Sequence, residues 1–349
     1  MRHAARPPRP GRRALLAAPL ALAAGCTARG AVTDSAEADP QSPLILRLAH
    51  NLSDTHPTSA AITAFAESVA ETSGGRIQVD IYANGQLGSE TAVLGQLVQG
   101  IVDITRVASP GLATYHAGYH TFGLPYVFDS EEQMHTVMDS AEMTEFYRST
   151  EERGFVGLTH YTSGARSFYT ASTPIRTPED VTGMKIRVQD MRSQTELMET
   201  LDGAPVVMAF GDTYTALQTG LIDGAESNET VLTDSAHGEV AKVFSRTRHT
   251  IIPDLMLISS EAWQKLAPED QELVAEAAHR SSLDHREAWV EAIEAAEAES
   301  VEMGVEFLDD IDLEAFRTAT RPVVDDFAAE YPEVAEVLTV IETASEETS

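Results

Sequence analysis

Along this chain apolar positions recur sometimes every second residue and sometimes every third or fourth, and the switching between those periods predicts an α/β protein. Leu44 to Ala49 is a nearly continuous apolar run, the pattern of a buried first strand. From Pro57 to Ser73 the apolar residues Ile62, Phe65, Ala66 and Val69 share one helical face, and Gly74-Gly75 stops the helix. Arg76 to Ile81 alternates as a strand. A second helix is expected from Ser89 to Gly100 and a short strand near Val102 to Val107. Strand, helix, strand, helix in this order is the signature of an α/β lobe.

Beyond Leu124-Pro125-Tyr126 the pattern predicts a helix from about Ser130 to Arg153 and a strand, Val156 to Tyr161, that crosses into a second lobe. That lobe is expected to hold strands at Ser167 to Tyr169 and Lys185 to Val188 and helices at Glu196 to Leu201 and Tyr214 to Thr219. Met256 to Ser259 then returns the chain to the first lobe. Pro268 to Gly304 reads as one Ala/Glu-rich helix with proline at its start and glycine at its end. At about 1.5 Å per residue it spans about 55 Å, longer than one lobe. Leu313 to Thr343 predicts two more helices split by Pro332, and no internal repeat is found.

The amino terminus changes this picture. Arg2, Arg6, Arg9, Arg12 and Arg13 precede an apolar run, Ala14 to Ala24, too short to span a bilayer. It ends in Leu22-Ala23-Ala24-Gly25-Cys26, which resembles a lipoprotein signal with Cys26, the single cysteine, as the lipidated residue. Arg12-Arg13 reads equally as a twin-arginine export signal or an ordinary basic region. Residues 27–43 have the composition of a flexible tether. The expected product is exported, extracytoplasmic and held at a membrane by lipid alone. One cysteine excludes disulfides and a cysteine-ligated metal.

The formal charge of −31 becomes about −36 without the signal arginines, which makes nucleic acid an improbable partner. An acidic surface does not forbid an anionic ligand, because a closed cleft with one or two arginines sets its own potential. The chemistry concentrates between Pro178 and Asn228, where Arg187 ends a Lys185-Ile186-Arg187-Val188 strand. A planar guanidinium there suits a two-pronged contact with a carboxylate. Against a hydrolase, the chain has no His-Glu-x-x-His, no Gly-x-Ser-x-Gly and no phosphate-binding glycine loop. A zinc-binding surface lipoprotein is the other alternative: His116 and His120 have the spacing of a helical metal pair, in a segment that looks more like a loop.

Several short runs in fixed order carry a resemblance: His56-Pro57, Ser73 to Ile77, Gly85-Gln86-Leu87-Gly88, Leu124-Pro125-Tyr126, Pro178 to Val188 and Ala216 to Asn228. From Leu44 to Glu342 the chain resembles the extracytoplasmic solute-binding protein of tripartite ATP-independent periplasmic (TRAP) transporters, the dicarboxylate-binding (DctP) type. The resemblance implies a two-lobed periplasmic-binding-protein fold, with crossing strands and a long helix spanning both lobes. Lobe I is expected at 44–164 and 253–292, lobe II with the spanning helix at 165–252 and 293–343. It implies capture of a small carboxylate by closure, without catalysis or cofactor, and delivery to small and large integral membrane subunits. A sensor partner of the same fold would bind ligand in the same way.

Residue by residue, Arg187 matches the arginine that grips the ligand carboxylate and Arg166 a second arginine. Phe210 matches an apolar pocket wall. Ser227 stands where the family places asparagine, so either Ser227 or Asn228 reaches the ligand. Asn51 matches a first-lobe contact, with His50, His56 and Glu90 as weaker candidates. His249 and Asp254 flank the return to lobe I and are placed at the hinge. Ala108, where some sugar-acid binders carry an acidic side chain, points towards a smaller or less polar acid.

Overall fold

The structure, a computed structural model, describes residues 42–348. The signal segment, Cys26 and nearly all of the expected tether lie outside the described residues. Residues from Pro43 onward form one compact unit built on two sheets.

The first half follows the apolar pattern closely. β1 (Leu44–Ala49) leads to α1 (Pro57–Thr72), which starts on proline with His56 Nδ1 accepting from the Thr58 N–H at 3.2 Å. Gly74 and Gly75 take φ of +64° and +80° and return their N–H groups to Glu71 and Ala70, closing the helix. β2 (Ile77–Tyr82), α2 (Glu90–Val98) and β3 (Ile104–Ala108) complete the βαβαβ run.

The single helix expected over Ser130 to Arg153 is two, α3 (Glu131–Met138) and α4 (Ala141–Arg148). Ser140 breaks it, because its hydroxyl accepts from the Met143 N–H at 3.2 Å and caps a new start. The periodicity alone carried across that break. His116 and His120 sit at a 3-10 turn, His116 capping Gly118 and His120 against Phe327 and Tyr331, not paired on a helix face.

β4 (Phe155–Tyr161) crosses into β5 (Ala165–Thr170), and the second sheet adds β6 (Lys185–Val188), α5 (Arg192–Thr200) and β7 (Ala204–Val207). There follow α6 (Thr213–Gln218), β8 (Gly224–Ser227), α7 (Val231–Asp234) and β9 (Val243–Ile251), which crosses back into β10 (Asp254–Ser259). α8 (Ser260–Lys265), α9 (Pro268–Glu302), β11 (Glu306–Leu308), α10 (Leu313–Glu330) and α11 (Pro332–Thr348) end the described chain. Strands β7, β8, β9 and β11 escaped the sequence pattern. The nine residues of β9 are mostly buried, yet six of them are polar, Ser245, Thr247 and His249 among them, so no apolar period marks them.

The sheet orders are β2-β1-β3-β10-β4 and β11-β9-β5-β8-β6-β7. β4 and β10 are antiparallel neighbours in the first sheet, and their continuations β5 and β9 are neighbours in the second. The bridge between the sheets is therefore a pair of strands. At the β4–β5 junction Gly164 has φ +69°, and a Cβ there would meet Trp289 at 3.2 Å and Asn228 at 3.3 Å. A side chain would be both strained and crowded.

Core packing holds each sheet between helices. Leu46, Leu48 and Ile258 meet Phe65, Val69 and α9 residues Val274 and Ala278 on one face of the first sheet; Leu257 and Phe155 meet Leu97 and Phe122 on the other. Phe168, Val188, Leu197 and Phe316 pack together against the second sheet, and Tyr169, Leu217 and Phe244 form a further cluster. α9 runs past both sheets, touching α1 and β4 of one and α7 beside the other. α11 differs from the expected assignment of 293–343 to the second lobe. Its Val337 and Ile341 pack with Phe122, Phe128 and Met134, so the last helix returns to the first sheet.

Candidate functional site

Parallel strands aim their carboxyl ends at the space between the two sheets, the place where open α/β sheets bind ligands. β1 delivers Asn51 and β3 delivers Arg106 from the first sheet; β6 delivers Arg187 and β8 delivers Ser227 and Asn228 from the second. Glu90 enters from the first turn of α2, Arg166 from the start of β5 and Phe210 from the turn before α6. All of these line one cleft, together with His56, Ser163, Gln189, Val231 and Ser235. A groove of about 530 Å³ between α10, α11 and the Tyr126 turn is larger. Its arginines are already committed, Arg317 to Asp129 at 3.4 Å and Arg321 to Asp325 at 2.9 Å, so the narrower cleft is the chemically equipped one.

Three buried arginines face this cleft, and their partners differ. Arg106 donates from Nη1 to Glu90 at 2.8 Å and from Nε to Asp254 at 2.7 Å, with Nη2 also on Asp254. Arg166 is held by Glu226 through Nε and through Nη2 at 2.9 Å, and Nη2 donates to the Glu226 carbonyl at 2.7 Å. Among the described residues Arg187 donates only to the carbonyl of Met208, from Nε at 3.2 Å and Nη2 at 3.0 Å. Its guanidinium lies 5.7 Å from the centre of the Phe210 ring. Among the described residues no carboxylate lies within salt-bridge distance of Arg187, although it is only 4% exposed.

Burial lowers the Arg187 pKa, and a guanidinium stays charged nonetheless. Burial by itself would raise the Glu226 carboxyl, but the charge and hydrogen bonds of Arg166 bring it down to about 2. Glu90 and Asp254 are both raised by burial, with Arg106 opposing the rise. The nearby imidazoles are held neutral at pH 7: burial, then Arg106, depresses His50 to about 4 and His56 to about 3.

Most residues expected at the site converge there: Arg187, Arg166, Phe210, Ser227, Asn228, Asn51 and Glu90. His50 is buried behind them with neither ring nitrogen hydrogen-bonded to a described residue. His249 stacks on Phe168 and stands 3.8 Å from Glu226, behind Arg166 rather than in the cleft. Arg106 was missed by sequence reasoning. Its signal was a lone cation inside a five-residue strand that is otherwise uncharged, Ile104–Ala108, every residue of which is buried.

Ser227 and Asn228 separate cleanly. Asn228 Nδ2 donates to the Ser163 carbonyl at 2.8 Å, and its Oδ1 accepts from the Thr230 N–H at 3.0 Å and hydroxyl at 2.8 Å. The Ser227 side chain forms no hydrogen bond with another described residue. Asn228→Ala is therefore expected to lower stability by about 1–3 kcal/mol, the cost of stranding buried partners. Ser227→Ala should leave the melting temperature in place and weaken ligand by about threefold to tenfold. Thermal melts and calorimetry on both variants check this assignment, and an Asn228 variant of native stability would reverse it.

Gln189 Oε1, Glu90 and Asn51 Oδ1 are acceptors set around the cleft, the first of them buried without a partner among the described residues. The cleft can thus grip a carboxylate at one end and accept hydrogen bonds from donors along the rest. No three of His, Cys, Asp and Glu converge as metal ligands among the described residues.

Residues 48–330 match the family described as bacterial extracellular solute-binding protein, family 7 (DctP). An uncharacterized protein of Salmonella typhimurium is 39% identical over 284 residues, 80% of this chain and 86% of that one. A TRAP periplasmic solute-binding protein of Anaerococcus prevotii, solved with bound D-glucuronate, is 35% identical with a TM-score of 0.84, covering 87% of this chain and 99% of that one. Its counterpart from Sulfitobacter, solved with β-D-galacturonate, is 34% identical with a TM-score of 0.82, covering 86% and 99%.

Proposed function

Because this chain belongs to the bacterial extracellular solute-binding proteins of family 7, we propose that its cleft captures a hexuronate, a six-carbon sugar acid, by closure of the two lobes. The protein is an extracytoplasmic solute-binding protein of the TRAP type that captures small organic acids. The observation that carries the finer reading is Arg187, a buried guanidinium facing the cleft with no carboxylate of its own among the described residues. In its assigned role it grips the ligand carboxylate, beside Phe210 and Ser227. Arg166, whose Nη1 is left over from the Glu226 chelate, makes the second contact.

Acceptors on the opposite wall favour a hydroxylated acid over a plain dicarboxylate. The smaller acid suggested by Ala108 rested on a missing acidic side chain. Glu90 supplies one at that place, its Oε1 accepting the Ala108 N–H at 3.1 Å. Relatives solved with glucuronate and galacturonate point the same way. Capture needs no catalytic step. In this reading lobe I comprises 44–164, 253–292 and α11, lobe II the intervening segments, and closed protein delivers ligand to the small and large membrane subunits. Attachment through a lipid on Cys26 belongs to the same proposal, and mass spectrometry of membrane-extracted protein tests it.

A thermal-shift and calorimetric screen tests the ligand class. D-glucuronate or D-galacturonate at a thousandfold excess over its Kd should add about 4 kcal/mol of stability. Stabilisation by succinate or malate with none by either uronate would overturn the hexuronate reading.

A further inference from the structure

The charges of the cleft do not balance wall by wall. On the first wall one cation, Arg106, is shared by two carboxylates, Glu90 at 2.8 Å and Asp254 at 2.7 Å. On the second, Arg166 is matched by Glu226 and Arg187 is unmatched. One wall thus carries an excess negative charge and the other an excess positive charge, and the six groups together sum to zero. A ligand carboxylate that takes Arg187 consumes the positive excess. Its arrival leaves the first wall with an uncompensated negative charge in a closed space, where such a charge costs most.

We propose that this cleft takes up a proton together with its anionic ligand, and that the Glu90–Asp254 pair astride Arg106 holds it. The inference rests on the carboxylate-binding reading above and adds the fate of the charge. Two carboxylates on one guanidinium form a coupled pair, so the proton belongs to the pair rather than to one residue. Asp254 is 1% exposed, and its Oδ1 has no hydrogen-bond partner among the described residues. Glu90 opens onto the cleft.

The charged groups acting on Glu90 are Arg106 from β3, Asp254 from β10 and Arg187 from β6, and Asp254 also feels Arg166 from β5; His50 and His56, on either side of the turn before α1, lie near Arg106, with Asp54 beside His50 and His285 beside His56. Burial decides between carboxylates and imidazoles as the acceptor. It favours the neutral form of each, which means a proton on the carboxylates and none on the histidines.

Isothermal titration with D-glucuronate in two buffers of different ionisation enthalpy, repeated from pH 5.5 to pH 8.5, tests the proposal. The ligand carboxylate is ionised across that whole range, since such groups titrate near about pH 3.5. Wild type should take up close to one proton per ligand, and its affinity should fall about tenfold per pH unit over the interval between the pair's free and bound pKa values. Glu90→Gln should lose most of that uptake and flatten the profile. Should Glu90→Gln fail to bind, Asp254→Asn gives the same readout, and infrared detection of a protonated carboxyl on ligand addition to wild type gives it without a variant. Buffer-independent heats with a flat pH profile would overturn proton coupling while leaving carboxylate binding intact. Undiminished uptake in both Glu90→Gln and Asp254→Asn would overturn the assignment by taking the proton off the pair. Absence of binding by any carboxylate at every pH would sink this inference and the reading beneath it together.

Discussion

Arg187→Ala should abolish capture of sugar acids, weakening the uronate Kd by at least about a hundredfold, while the unliganded protein melts no earlier than wild type. Truncating one partner of a buried, hydrogen-bonded charge pair costs roughly 2–5 kcal/mol in binding. Here that loss falls wholly on the complex. In the free protein the guanidinium is buried, unpaired by any described carboxylate and tied only to the Met208 carbonyl. Removing such a charge relieves a desolvation cost, so native stability is expected to hold or rise. Arg187→Lys separates charge from shape: lysine keeps the charge but cannot offer two parallel N–H groups, and most of the affinity should still be lost. Calorimetry and thermal melts on the same preparations check both parts. An alanine variant that binds normally would remove Arg187 from the site.

The fold explains how one arginine can dominate. A guanidinium at the end of β6 faces a wall built by β1, β3 and α2, and the two are joined through the β4–β5 and β9–β10 crossings and by α9. Ligand contacts on both walls exist only when the lobes are together. The ligand therefore favours the closed form by the difference in its affinity for the two forms, and by nothing more. An arginine committed to a carboxylate of its own would have less to gain from closure.

Much of the lobe architecture was legible because the first half of the chain obeys simple periods. Ile62, Phe65 and Val69 mark α1, and Pro268 with the Ala/Glu pattern marks α9. The cleft was legible in part for another reason: Arg187 and Ser227 sit in short runs whose order resembles a family. What stayed hidden was whatever depends on partners far apart in sequence. Arg106 reaches Asp254 across 148 positions and Arg166 reaches Glu226 across 60. No local pattern states that one arginine is neutralised and another is free. β9 hid for a related reason, since its buried polar residues answer to neighbours such as Phe168 and Glu226 rather than to an apolar face.

That difference between arginines also fixes where stability is most exposed. Glu226→Gln strands the Arg166 charge in a site 5% exposed, and breaking a buried pair from one side costs about 3–5 kcal/mol. For a domain of this size the melting temperature should fall by roughly 6–10 °C. The sign of the pH dependence follows from the Glu226 pKa, lowered from 4.5 to about 2. A carboxyl lowered on folding stabilises fully above its unfolded value and loses that contribution as pH falls through its folded value. The gap between wild type and Glu226→Gln should therefore be widest above about pH 5, narrow below pH 4.5 and close near pH 2. A gap unchanged down to pH 3 would mean that Glu226 acts through shape, not charge. The double variant Arg166→Met with Glu226→Leu removes both charges, and a buried pair replaced by apolar groups of similar size is often neutral in stability. Its melting temperature should recover most of the loss. Its affinity then reports on Arg166 alone: tenfold or weaker uronate binding on a restored fold would place the Arg166 guanidinium on the ligand, and native affinity would confine it to holding β5 against β8.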